Sequence, residues 1–172
     1  AQDIATQQRY VDLGLDQSKS QVVGNIKFDI AAPQSYVEKA EQLKQDWQLA
    51  DRQVIVLAST HAPEEEQLLK QLQPHLNSNP HLLCIVVPRH PERFDEVNKI
   101  CQNLNLNTQR RSLKQEITVD TQVYLADSMG EMWLWYALSQ ACFVGGSLNE
   151  PGGGHNILEP MVLDVPTVIG PR

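Results

Sequence analysis

Cationic side chains, cysteines and long apolar runs are all scarce in this sequence. Fourteen Lys and Arg stand against 21 Asp and Glu, giving a formal net charge of −7. No basic cluster offsets that balance, which argues against a nucleic-acid surface, where phosphates are neutralised by grouped Lys and Arg. No apolar stretch approaches the roughly 18 residues that a transmembrane helix requires. No signal peptide opens the chain either, so the polypeptide itself reads as soluble. Cys84, Cys101 and Cys142 are odd in number and far apart. Cys84 and Cys142 lie inside apolar runs and read as buried cytosolic thiols rather than a disulfide framework. His61, His75, His81, His90 and His155 show no pairing with cysteines at zinc spacing, so no metal site is expected.

What remains is an ordinary globular composition. The 172 residues suffice for one domain with a real core, and 41% hydrophobic with 20% charged residues suits such a domain. The sequence starts at Ala1 without an initiator Met and stops at Gly170-Pro171-Arg172 directly after an apolar run. Both ends therefore read as cut, and a membrane anchor or a further domain is expected outside the chain.

Apolar periodicity gives an alternating pattern. Ala1 to Gln21 is polar and reads as the end of a helix plus a connector. Gly24 to Asp29 reads as a turn-rich link. Pro33 to Asp51 carries helix signals, with Val37, Ala40, Leu43 and Trp47 at helical spacing. Buried strands are expected at Val54–Ala58, Leu82–Val87, Gln122–Ala126, Ala141–Val144 and Val165–Ile169, with a short edge strand at Thr108–Arg111. Helices are expected between them at Glu64–Leu76, Pro91–Leu104, Glu131–Ser139 and Asn156–Leu163. Strands that are apolar on both faces and alternate with helices imply a parallel sheet covered on both sides. The fold class is therefore α/β, a doubly wound, Rossmann-like parallel sheet. Residues 1–24 form an incoming connector, and residues 25–172 the Rossmann-like domain.

Ligands of such sheets bind beyond the carboxyl ends of the strands, so candidate site residues are those that follow each strand. Ser59, Thr60 and His61 follow the first; a hydroxyl there either meets a phosphate or sugar or caps the helix that begins at Glu64. Pro88, Arg89 and His90 follow the second. Arg89 is the strongest candidate, because a guanidinium fork matches phosphate or carboxylate; the alternative is an ion pair with a nearby Glu. Met129, Gly130 and Glu131 mark a helix start whose N–H groups suit a phosphate, unless the segment is a plain turn with Glu131 capping the dipole. Gly145, Gly146 and Ser147, then Gly152-Gly153-Gly154, permit sharp bends or close ligand approach. Asn156 and Glu159 share one face at a helix start. The Glu159 carboxylate there either accepts hydrogen bonds from both ribose hydroxyls or simply balances the helix dipole.

Taken in order, the motifs Gly24-Asn25-Ile26-Lys27-Phe28-Asp29, Ser59-Thr60-His61, Pro88-Arg89-His90-Pro91-Glu92-Arg93-Phe94, Met129-Gly130-Glu131, Phe143-Val144-Gly145-Gly146-Ser147-Leu148 and Gly153-Gly154-His155-Asn156-Ile157-Leu158-Glu159 resemble one family. This is the family of 3-deoxy-D-manno-octulosonic acid (Kdo) transferases of lipopolysaccharide synthesis, in its C-terminal domain. The resemblance runs from about Val22 to the end. It implies the C-terminal half of a two-domain GT-B glycosyltransferase. It also implies CMP-Kdo as donor substrate, a lipid A precursor as acceptor, and an inverting transfer without metal or cofactor. The parent protein would sit at the cytoplasmic face of the bacterial inner membrane. The family's proposed general base belongs to the N-terminal domain, so no catalytic residue is assigned within this chain, which is expected to bind CMP or CMP-Kdo and to be inactive alone.

Carried over by position, the resemblance implies that Arg89 meets the donor's phosphate or carboxylate, that Met129 and Gly130 offer N–H groups to the phosphate, and that Asn156 and Glu159 hold the nucleotide. Ser59, Thr60, Gly145 and Gly146 would shape the cleft. Three features depart from the family pattern. Ala62-Pro63 stands where an acidic residue and a glycine are expected, and the loop Asn149-Glu150-Pro151-Gly152 is one residue longer. The chain also stops before an expected aromatic-containing segment and further helices, and the apolar surface this would leave open invites self-association. Two other readings fit the residues alone: a GT-B enzyme using a UDP-sugar, and a non-catalytic nucleotide-binding module.

Overall fold

Val, Ile and Leu fill the strand positions so densely that the sheet can only lie in the middle of the domain. In the computed structural model, which describes residues 1–150 and 152–172, six parallel strands run in the order β3-β4-β2-β1-β5-β6. They are β1 (Gln53–Thr60), β2 (Leu82–Pro88), β3 (Thr108–Arg110), β4 (Val123–Leu125), β5 (Ala141–Val144) and β6 (Thr167–Ile169). The helices are α1 (Ile4–Asp12), α2 (Gln34–Asp46), α3 (Glu64–Ser78), α4 (Phe94–Asn103), α5 (Met132–Leu138) and α6 (Leu158–Val162). Two compact units result, Ala1–Ala31 and Ala32–Arg172. The first holds α1, whose start is fixed by the Asp3 carboxylate accepting the Thr6 N–H at 2.6 Å. The second holds the sheet and the candidate site.

Helices cover both faces of the sheet, as the alternating pattern predicts. On one face Ala40 of α2 and Leu134, Trp135 and Leu138 of α5 pack against Val54, Val56, Ile85 and Tyr124. On the other, Leu69 and Leu76 of α3 and Val97 and Cys101 of α4 pack against Leu57, Cys84, Val86 and Leu125. Leu69, Leu83, Leu125 and Leu134 are fully shielded from solvent, and burial of each stabilises the fold by about 1.5–3 kcal/mol relative to exposure. All three cysteines are buried and free, and burial raises the thiol pKa of Cys101 to about 11.

Element boundaries differ from expectation where local chemistry intervenes. The helix expected over residues 33–51 stops at Asp46, because Gln48 turns left-handed at φ 51° and Leu49–Asp51 continues as a 3-10 turn. The Pro91–Leu104 segment likewise divides into a 3-10 turn, Pro91–Arg93, and α4. The last helix begins at Leu158 rather than Asn156, since the Asn156 side chain accepts the Leu158 N–H at 3.0 Å and forms a turn before it. The last strand is short and lies at the sheet edge, with Val168 61% and Ile169 52% exposed, so it is not the two-face buried strand its composition suggested. Pro151 of the lengthened loop lies outside the described residues.

The topology places the site. From β1 the chain passes through α3 on one face to β2, and from β5 through α6 on the opposite face to β6. β1 and β5 are neighbours, so the winding direction reverses between their carboxyl ends and opens a crevice there.

Candidate functional site

The crevice is built first from a backbone irregularity. β1 and β2 pair in register up to Ala58 opposite Val87, but the next pair is Thr60 opposite Pro88. Ser59 is the extra residue, in a bulge at φ 51°, and it is turned to line the cleft. The Arg89 N–H donates to the Thr60 carbonyl at 3.0 Å, extending the ladder one residue past Pro88. This holds the Arg89 stem at the rim.

The opposite wall is the loop after β5. A side chain at Gly145 would come within 2.5 Å of the Ser59 carbonyl oxygen, so only glycine lets β5 close against β1 here. The next three residues are tied to one buried side chain. The Glu64 carboxylate accepts the N–H of Gly146 (2.9 Å), Ser147 (3.1 Å) and Leu148 (3.1 Å), and also that of His61 (3.0 Å). A negative charge with no exposure is thus held by four backbone donors, each a charge-assisted bond. Its neighbour Glu65, equally buried, is held by Arg93 at 2.7 Å.

Between these walls lies a cleft of about 410 Å³. Ser59, Pro88, Arg89, Met129, Gly130, Glu131, Asn156 and Glu159, all named from the sequence, line it together. Val87, Ser128, Met132, Tyr136 and His155 complete the lining. His61 and Gly146 line a smaller adjoining cavity of about 220 Å³ with Asn149, Gly153, Gly154 and, again, His155. The two cavities therefore share His155 as their common wall.

Four candidates are placed differently from expectation. His90 is exposed, lines neither cavity and lies 3.7 Å from the Glu92 carboxylate. Thr60 is fully buried in β1, its hydroxyl without a partner among the described residues, and it neither caps α3 nor lines the cleft. Ser147 is buried and tied locally: its hydroxyl donates to the Val144 carbonyl (2.8 Å) and accepts the Gly170 N–H (2.8 Å). Glu131 lines the cleft, but its carboxylate is engaged by Arg111 (2.8 Å), Lys39 (2.8 Å) and the Ser128 hydroxyl (2.7 Å). Burial alone would raise its pKa, yet these partners together lower it to about 2. The space in front of the Gly130 α-carbon is open, and its φ of 80° suits glycine.

Charge is unevenly used around the cleft. Within Ala32–Arg172, Arg93, Arg110, Arg111 and Arg172 each hold a carboxylate, and Arg52 holds backbone carbonyls. Arg89 holds neither among the described residues, so the expected alternative of an ion pair is not realised. Glu159 is half-buried with only the Asn156 amide against it, at 3.3 Å, and burial raises its pKa. It is therefore an acceptor still short of donors, facing a donor group short of acceptors.

Among the residues absent from the sequence candidates, His155 and Glu64 matter most to the shape of the site. His155 stands between a glycine run and Asn156, next to candidate residues, and that position is its only signal in the sequence. Glu64 sits in a run of three glutamates, which reads as a solvated first helical turn; nothing in the run marks which of them turn inward.

No protein-family model matches the chain. It is 41% identical over 170 residues to a 3-deoxy-D-manno-octulosonic acid transferase of Haemophilus influenzae, covering 99% of this chain and 39% of that protein. A Bordetella pertussis protein of the same name is 36% identical over 156 residues, covering 88% of this chain and 35% of its own length. The chain thus spans well under half the length of these curated relatives. Among solved structures, the C-terminal CMP-Kdo binding domain of WaaA from Acinetobacter baumannii matches with a TM-score of 0.81 and 71% identity, over 81% of this chain and 72% of that one. At that identity and coverage, the chain belongs to the 3-deoxy-D-manno-octulosonic acid transferase family.

Proposed function

We propose that this chain is the donor-binding half of a two-domain GT-B glycosyltransferase that moves Kdo from CMP-Kdo to a lipid A precursor. The observation that carries this reading is the unneutralised Arg89 facing the Asn156–Glu159 pair across one cleft at the switch point of the sheet. A nucleotide has the matching polarity: an anionic phosphate for the guanidinium, and two ribose hydroxyls for the carboxylate. Both ends of such a ligand would satisfy groups that the protein leaves unpartnered.

Cleavage of the bond between the sugar and the phosphate leaves negative charge on CMP. Arg89, whose backbone the β1/β2 ladder holds at the rim, offsets that charge as it develops. The transfer inverts the anomeric centre and needs no metal. The acceptor hydroxyl loses its proton to a base in a second domain, so the chain alone binds donor and transfers nothing. The parent enzyme works at the cytoplasmic face of the inner membrane, where its lipid acceptor lies; no helix among the described residues of this chain is long and apolar enough to cross a membrane.

Calorimetric titration with CMP and UMP tests the reading. Saturable binding that prefers CMP is expected, weakened roughly 10- to 100-fold in Arg89→Ala, the loss anticipated for one charge-assisted contact. Equal binding of UMP would point to a UDP-sugar enzyme instead. No binding by the folded chain would overturn the reading.

A further inference from the structure

His61 and His155 come from loops 94 residues apart, yet their Nε2 atoms lie 2.6 Å from each other. The ring planes are within 6° and the centroids 4.9 Å apart, so the rings meet end to end in one plane. This is an N–H···N hydrogen bond, which requires one nitrogen to carry a proton and the other a lone pair. The pair can be neutral or singly charged, but not doubly charged. His90 completes the group, its ring edge-on to His61 at 4.9 Å.

The surroundings leave the His61–His155 pair without a free carboxylate among the described residues, and only His90 has one beside it, Glu92 at 3.7 Å. His61 is faced by Glu64 and Glu65 from α3 and by His90 and Arg93 from the segment after β2. His155 is faced by His61, Arg89, His90 and Glu64. Both carboxylates are already committed: Glu64 to four N–H groups, and Glu65 to Arg93. Burial, reinforced by the neighbouring cationic groups, lowers the pKa of both imidazoles, which favours the neutral pair at rest. A small cavity opens at the pair, beside the cleft assigned to the nucleotide and joined to it at His155.

We propose that the His61–His155 pair, with His90 and Arg89 beside it, is a subsite for the carboxylate of the donor sugar, and that it takes up one proton from solvent when that acid group binds. This rests on the donor-site reading above. An arriving carboxylate stabilises the imidazolium form, so the pair passes from neutral to singly charged without breaking its internal hydrogen bond. A nucleotide-linked neutral sugar gains nothing from this, so the subsite selects acid sugars.

The test is calorimetry on this chain with CMP-Kdo, with its carboxyl methyl ester and with CMP, in buffers of differing ionisation enthalpy between about pH 6.5 and 8.5. The expected result is net proton uptake with CMP-Kdo alone, and an acid-over-ester preference of at least about 10-fold that shrinks as pH rises. In His61→Gln, and independently in His155→Gln, the preference should collapse toward unity and the proton uptake should vanish. The uptake measured on the unaltered chain stands even where a variant fails to fold. Binding of CMP together with equal affinity for acid and ester would overturn the subsite alone, as would a preference that survives both variants. Failure to bind CMP at all would overturn the donor-site reading, and the subsite with it.

Discussion

Two corners of the same sheet edge treat positive charge in opposite ways. At the β3/β4 end, Arg110 holds Asp127 at 2.7 Å and Asp95 at 2.8 Å, while Arg111 holds Glu131 and lies 5.5 Å over the Trp135 ring. Both arginines there hold carboxylates, and that arrangement closes on itself. At the β1/β5 corner Glu64 is spent on the backbone and Glu65 on Arg93, and Arg89 with His155 is left open to the cleft. Arg89 directly follows β2, and Arg110 and Arg111 end and follow β3, so position after a strand does not separate them. What separates them is the carboxylate supply: one corner is assembled to stay as it is, the other to be completed by a ligand.

The largest expected effect comes from removing the carboxylate that keeps the open corner in shape. Glu64→Ala leaves four backbone donors unanswered, and a loss of about 3–5 kcal/mol in urea unfolding is expected. Glu64→Gln, which keeps the shape but turns an amide toward those donors, should fall between. A loss under about 1 kcal/mol for the alanine variant would mean that solvent replaces the carboxylate.

Exchanging the roles of the arginines comes next. Arg110→Ala strands the buried Asp127 carboxylate and should cost about 2–3 kcal/mol in stability. Arg89→Ala should leave unfolding within about 0.5 kcal/mol, as exposed positions do, while weakening CMP binding. If the two variants behaved alike in either assay, the distinction between closed and open corner would fail. The closed corner also has a pH signature. The folded pKa of Glu131 is depressed to about 2 from 4.5. Its contribution, up to about 3 kcal/mol, is therefore fully present above about pH 4.5 and is lost as pH falls through that value toward 2. Glu131→Gln should flatten this acid limb in a pH series of melting curves.

How far the sequence could carry this contrast follows from the kind of information each feature uses. The strands of the parallel sheet were legible because burial on both faces forces continuous runs such as Val54–Leu57. The cleft was legible at Arg89, Asn156 and Glu159 because the carboxyl edge of such a sheet is known before any contact is seen. Glu64 was not, since its role depends on a loop 82 residues away folding over it. The same holds for Glu131, whose partners Lys39 and Arg111 come from two other segments. Sequence patterns report burial and local turns, whereas the sharing of charge between distant segments is a property of the assembled fold. The histidine pair belongs to that second kind: both residues were visible, and their 2.6 Å contact was not.

The smallest effect sharpens the comparison within the open corner itself. Glu159 and the histidine pair should respond to pH with opposite sign. Burial raises the Glu159 pKa, so the free site already penalises its ionised form. Two ribose hydroxyls donate only to the ionised carboxylate at full strength, so binding a nucleoside pulls this pKa down and releases protons where the group is partly protonated. Affinity should then fall as pH is lowered, whereas the histidine pair strengthens binding as it takes up a proton. Cytidine isolates the first effect, because it has neither phosphate nor carboxylate. Its affinity should weaken as pH is lowered into the raised titration range of Glu159, and Glu159→Gln should be several-fold weaker at pH 7 with a flat profile, in keeping with the loss of one charge-assisted hydrogen bond. A Glu159→Gln chain that binds cytidine as the original does would remove the ribose from this carboxylate and leave Arg89 as the sole anchor of the nucleotide.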